Sequence, residues 1–495
     1  MTHGRALNEK LSTRKTTAVR NSTLACAQPI GHFSRRMSLL IKNGEIVTAS
    51  ERYVADIFCE GETITRIDKN ILPSAGVEVI DASGKFIFPG FIDPHVHIYL
   101  PFMGTFAKDT HETASKAALV GGTTTFIEMI CPGRDEKPLE AFELWLGKAR
   151  GQSACDFTFH MGVTRFDDAA EKDFREIVRR GISSFKVFLA YKGALGVTDE
   201  ELYKTLRLAK ELGVITTAHC ENADLILELQ KKLLAEGKTG PAYHYWSRPP
   251  IVEAEGVHHL MTFAEMTGAH VYIVHLSCEE ALREATRGAE RGVNVWVETL
   301  IQYLLCDRTQ AEPDFEGAKF VMSPPLRDKK NQDVLWNGLR HGLVATLATD
   351  HAPFDFGTQK QMGRGDFTRI PNGIPSLEDR INLYFTHGVQ RGRIDLHTFV
   401  NTASTQTAKI FGLFPRKGTI QPGADADLVI YDPRYCGKIS AKTHFMNLDY
   451  NVFEGWNIEG RASVVTVRGK VAVRDGQFVG EAGRGKLIER KPNHF

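Results

Sequence analysis

Two textures of hydrophobic and polar positions alternate along the chain. From Met37 to about Phe88, apolar and polar residues alternate with period two and are interrupted by Gly, Asn and Asp, as in SLLIKNGEIVTA, VADIFCEGETITRID and VEVIDASGKFIF. That pattern predicts short strands joined by tight turns. It returns in KGTIQPGADADLVIYDP and ASVVTVRGKVAVRDGQFV, so both chain ends are expected to build one small β-sandwich. Between them, eight short apolar runs read as strands: FIDPHVH, TTTFIEMI, DFTFHMGV, SFKVFLAY, VITTAHC, HVYIVHLS, NVWVETL and VATLATDH. Stretches of helical period, such as KPLEAFELWLGKAR, DEELYKTLRLAKELG and EEALREATRGAERG, separate them. Eight strands, each followed by a helix or long loop, imply an α/β fold of TIM-like (β/α)8 barrel type, although a doubly wound sheet gives similar local text. The expected division is a disordered arm at 1–36, sandwich segments at 37–88 and 416–480, the barrel at 89–415, and a tail at 481–495.

Polar residues at strand ends favour the barrel, whose strands deliver side chains from their C-terminal ends to one pocket. His95 and His97 end the first predicted strand, His219 the fifth, His275 the sixth and Asp350 the eighth, while Lys186 lies inside the fourth. Such groups in apolar text are costly unless paired or bound to a metal. The i, i+2 spacing of His95 and His97 puts both imidazoles on one strand face, where they can converge on one ion. His and carboxylate ligands suit Zn²⁺, with Mn²⁺, Co²⁺ or Fe²⁺ as replacements. The adjacent pair His258 and His259, in helical text, cannot direct both rings to one ion and is assigned no role.

Charge changes the picture little. The 61 basic residues nearly cancel the 60 acidic ones, so no global field favours nucleic acid or an anionic membrane, and neither is expected as a partner. Eight cysteines without a C-x-x-C pair read as reduced thiols of a cytoplasmic protein. No apolar run approaches the roughly 20 residues of a membrane span, which predicts a soluble chain. Residues 1–36 hold seven Lys/Arg against one acid, Glu9. They fit either a disordered arm ahead of Met37 or an organelle-type targeting segment.

The motifs FIDPHVH, SSFKVFLAYKG, TAHCEN, IVHLSC, MSPPLRD, ATDHAPF and RIPNGIPSLEDR together resemble the dihydropyrimidinase/hydantoinase branch of the amidohydrolase superfamily, from about Met37 to Gly476. The resemblance implies a hydrolase that opens 5,6-dihydropyrimidines such as dihydrouracil and dihydrothymine to N-carbamoyl-β-amino acids. The alternative within it is D-hydantoinase action on 5-substituted hydantoins. It implies two divalent ions, foremost Zn²⁺, bridged by a carbamylated Lys186 and a hydroxide. His95, His97, Lys186 and Asp350 would hold one ion, and Lys186, His219 and His275 the other. Asp350 would also carry the proton, Tyr191 would stabilise the oxyanion, and Ser323 and Asn372 would bind the ring amide through backbone groups. Both of these last two lie in Pro/Gly-marked loops that also suit a plain turn. Leu100, Phe102, Met103 and Phe188 would wall the pocket or simply pack in the core. Tyr99 stands where dihydroorotase-like relatives carry a carboxylate-binding arginine, which disfavours an acidic ring. A homotetramer is implied. The rival from another class is a non-catalytic scaffold like the collapsin response mediator proteins, which lack parts of the metal set.

Overall fold

The computed structural model describes residues 38–492; the basic segment 1–36 read above lies outside them. Eight parallel strands form the core: Phe91–Val96, Thr123–Ile130, Asp156–Gly162, Ser184–Lys192, Ile215–His219, Val271–Ile273, Val295–Leu300 and Thr346–Ala348. They pair in sequence order. The ring closes where the end of the first strand meets the chain after the eighth, through a parallel bridge between Val96 and His351. These strands read as unbroken apolar runs because helices cover the outer face while the inner face packs on itself. The doubly wound alternative is thereby excluded.

Local chemistry fixes the helices. Asp199–Leu212 starts at a capping box in which Thr198 and Glu201 satisfy each other's backbone N–H groups, and stops at Gly213 in the left-handed region. Asp168–Arg179 is capped by Asp167 and buries Ala170, Phe174, Ile177 and Val178, one helical stripe, against the barrel. No helix among the described residues is long and apolar enough to cross a membrane.

Both chain ends join one nine-stranded, mainly antiparallel sheet. Its central strand, Ser38–Val47, pairs along one edge with Arg52–Glu60 and divides the other between Glu78–Asp81 and Phe86–Pro89. Phe86–Pro89 in turn pairs with Leu428–Lys438, which stitches the N-terminal segment to the C-terminal one. A buried ionic cluster locks this sheet to the barrel: Lys417 meets Asp156 of the third barrel strand at 2.6 Å, Asp425 at 2.9 Å and Asp427 at 2.5 Å. Beyond the sheet, the segment expected as a tail folds back along the third barrel strand. Ile488 N–H donates to Phe157 O, and the buried Arg490 reaches Thr158 and Ser184.

Candidate metal centre

Strand closure assembles the first half of the centre. His97 N–H donates to His351 O at 2.8 Å, which draws Asp350 onto the end of the first strand. His95 Nε2 and His97 Nε2 then lie 3.2 Å apart, each 3.1 Å from Asp350 Oδ1. On the fifth and sixth strands, His219 Nδ1 faces His275 Nε2 at 2.9 Å. The His95 and His275 rings stack at 5.4 Å between centroids and join the two groups. Lys186, fully buried on the fourth strand, lines the same cavity as these five residues.

Two residues of this set have backbones in the left-handed region, His275 at φ 43° and Asp350 at φ 49°. The corresponding strands therefore stop at Ile273 and Ala348, short of the predicted HVYIVHLS and VATLATDH. The turn re-aims each side chain into the barrel mouth. Tyr191 does the same at φ 59°. Strained backbone gathered around one cavity is a mark of a functional site.

Behind the centre lie carboxylates that the strand-end reading did not assign. Glu298, on the seventh strand, accepts from His95 Nδ1 at 2.8 Å, from the His275 backbone N–H at 2.9 Å and from Tyr272 Oη at 2.8 Å. Glu221 accepts from His219 Nε2 at 2.8 Å and pairs with Arg248. Each carboxylate orients a ring. With Nδ1–H given to Glu298, His95 directs Nε2 at Asp350; with Nε2–H given to Glu221, His219 turns Nδ1 toward His275. Glu298 carried the same signal as Lys186, a charged residue inside apolar text, and Glu221 directly follows the strand end TAHC.

The electrostatics match a cation site. Burial holds the His219 and His275 imidazoles well below their usual range, which keeps them as neutral donors. Burial alone would do the same to His95, but the Asp350 and Glu298 carboxylates overcome it and raise that ring to about 9. Asp350, which burial would push up, is held well below the carboxylate range by His95 and His97. Burial lowers the Lys186 ammonium to about 8, and its Nζ has no hydrogen-bond partner among the described residues. Four imidazoles and a carboxylate converge, with an orphaned amine among them. This donor set fits divalent cations, and His95, His97 and Asp350 already bring their ligand atoms within 4.8 Å of one another.

Tyr191, Ser323 and Asn372 line the same cavity, as do Leu100, Phe102 and Phe188. Asn372 Nδ2 donates to Ser323 Oγ at 3.0 Å, and the Tyr191 ring packs edge-on to Phe102. Burial raises the Tyr191 phenol, so the hydroxyl keeps its proton. Met103 borders an adjoining cavity that shares Tyr191 and Asn372. Tyr99 does not face the site: its ring packs between Phe106 and Trp145 under the Lys148 ammonium. The strand ends at Val96, and Tyr99 lies in the bend that follows. His258 and His259 lie on the surface, paired with Glu284 and Asp199.

The pattern of the amidohydrolase family matches residues 86–472. The chain is 48% identical over 456 residues to a D-hydantoinase of Geobacillus stearothermophilus, spanning 92% of this chain and 97% of that one. It is 38% identical over 462 residues to a dihydropyrimidinase of Rattus norvegicus, spanning 92% and 89%. Among solved structures, a D-hydantoinase (dihydropyrimidinase) from Thermus sp. superposes with a TM-score of 0.91 at 63% identity, over 92% of this chain and 100% of that one.

Proposed function

The chain belongs to the amidohydrolase family, and from that premise we propose that its barrel mouth holds two divalent ions and opens cyclic ureides at a ring amide bond. It is a cyclic amide hydrolase of the hydantoinase and dihydropyrimidinase type. The observation that carries the reading is the convergence of His95, His97, Lys186, His219, His275 and Asp350 on one cavity, with two histidines oriented by buried carboxylates. All six positions are filled, against the scaffold reading.

His95, His97, Lys186 and Asp350 would hold one ion, and Lys186, His219 and His275 the other; Zn²⁺ suits this set. Lys186 joins as a carbamate: its neutral Nζ attacks the carbon of CO2, loses a proton, and becomes a carboxylate that can face two cations. When bound, the pair of ions would polarise the ring carbonyl and supply hydroxide near neutral pH. Asp350 accepts the proton released as the nucleophile adds, and delivers it to the departing ring nitrogen. The Tyr191 hydroxyl donates to the oxyanion that forms on the attacked carbonyl. Backbone groups at Ser323 and Asn372 hold the ring amide in register. The product is an N-carbamoyl amino acid. The homotetramer implied by the resemblance and a cytoplasmic setting complete the proposal, the latter supported by seven described cysteines that are all free.

Dihydropyrimidines are the first substrates proposed. Hydantoins are the second reading, favoured by the higher identity to a protein named D-hydantoinase than to one named dihydropyrimidinase. Metal-loaded protein offered dihydrouracil, dihydrothymine, hydantoin, a 5-aryl hydantoin, allantoin and dihydroorotate should open both dihydropyrimidines and at least one hydantoin, followed by loss of near-ultraviolet amide absorbance. Dihydroorotate should be poorest, because no arginine is among the residues lining the cavity and a buried carboxylate without a partner is costly. Fastest turnover of dihydroorotate, or none of any ring with two metals bound, would overturn the reading.

Tyr191→Phe is expected to keep its metal and lose kcat by roughly 10²–10³, the usual effect of deleting one oxyanion donor. A rise in KM alone would make Tyr191 a ground-state binding residue.

A further inference from the structure

Lys360 opens a short turn, Lys360–Gly363, and is fully buried beside an apolar cluster containing Val321, Phe367 and Ile370. Among the described residues its ammonium is paired with no carboxylate. Instead Nζ donates to three main-chain carbonyls: Val321 at 2.9 Å, Pro371 at 2.7 Å and Gly373 at 2.8 Å. Burial pushes this amine well below the usual lysine range; the three carbonyls match the three donors of its charged form. Without them a buried cation in this setting is strongly unfavourable.

The three acceptors belong to two loops. Val321 lies two residues before Ser323, and Pro371 and Gly373 flank Asn372. The loops are also tied directly: Gly373 N–H donates to Val321 O at 3.0 Å, and Asn372 to Ser323 as described above. Gly373 sits at φ 149°, where a Cβ would fall 2.4 Å from Ala352 O, so this loop has little room to shift. Lys360 thus grips both loops of the seat from behind, without itself lining the cavity.

We propose that Lys360 is a positioning residue that sets the spacing between the Ser323 and Asn372 loops, and so the placement of the ring amide against the metal centre. The proposal rests on the cyclic-amide reading and deepens it. Because ring placement is needed in ground and transition states alike, its loss should appear mainly in KM.

The test compares wild type with Lys360→Met, of similar shape but with no donor, and Lys360→Gln, which restores part of the donation. For Lys360→Met we expect unchanged metal content, KM for the best ring substrate raised at least about tenfold, and kcat within about threefold. Amide hydrogen exchange at Gly373 should quicken at least about tenfold, with little change in the barrel strands, and Lys360→Gln should fall between. The exchange readout needs no turnover, and wild-type turnover of the ring panel tests the cyclic-amide reading separately. Loss of metal, a fall confined to kcat, unchanged exchange at Gly373, or failure of both variants to fold would each overturn the proposal and make Lys360 a residue of general stability.

Discussion

Lys186→Ala is expected to fold, to lose most of its bound metal, and to turn over ring substrates at least about 10³-fold more slowly, the scale on which removing one member of a catalytic unit acts. The folding half of that expectation comes from burial. Among the described residues Lys186 Nζ has no hydrogen-bond partner, and its ammonium is already pushed down to about 8, so in the metal-free protein the amine is a burden that alanine removes. Metal-free wild type and variant should therefore melt close together, the variant no lower. The loss of metal comes from charge. Without the proposed carbamate, Asp350 would be the one anionic ligand in the set, and two divalent ions would share the cavity with only neutral imidazoles otherwise. A short carboxylic acid in the buffer should restore part of the turnover by taking the place of the missing carboxylate. Full activity with two metals in Lys186→Ala would remove the carbamate from the account.

The barrel was legible because parallel strands buried on both faces leave apolar runs of a length that helices do not share. The residues that converge on one cavity were legible for a related reason: Lys186 and the strand-end histidines interrupt text that has little use for polar groups unless they are paired or bind something. Strand length was not legible. The predicted sixth and eighth strands ran through His275 and Asp350, but hydrogen-bonded pairing ends where those residues turn left-handed, and periodicity carries no sign of φ. His and Asp tolerate that region better than most residues, which is the only local hint. Arg248 and Lys360 lie in loops whose composition looks exposed; their burial is a product of distant segments closing over them. Glu298 differs, because an acid inside NVWVETL is as anomalous as the lysine inside SFKVFLAY. The sequence reading left it unassigned, yet it orients His95 and fixes the His275 backbone at once.

Asp350→Asn is expected to be more damaging than Tyr191→Phe, with kcat lower by about 10⁴, because it removes a ligand and adds the loss of proton transfer, itself worth about 10²–10⁴. The substitution is a sharp probe of chemistry because it leaves the backbone alone. Asp350 sits at φ 49°, and asparagine accepts the left-handed region as readily as aspartate, so the turn that closes the barrel should survive. What changes is the charge facing His95 and His97, both 3.1 Å from Oδ1, and the capacity to take a proton from the nucleophile and return it to the leaving nitrogen. Metal analysis separates these two losses. A weakened ion on the His95 and His97 side with the His219 and His275 side retained would show the ligand role; restoring occupancy with excess metal should then leave the kcat defect in place, since a carboxamide neither takes up nor releases a proton near neutral pH. If saturating metal instead returned kcat to within about tenfold of wild type, Asp350 would be a ligand only, and the proton would have to travel through another group at the cavity.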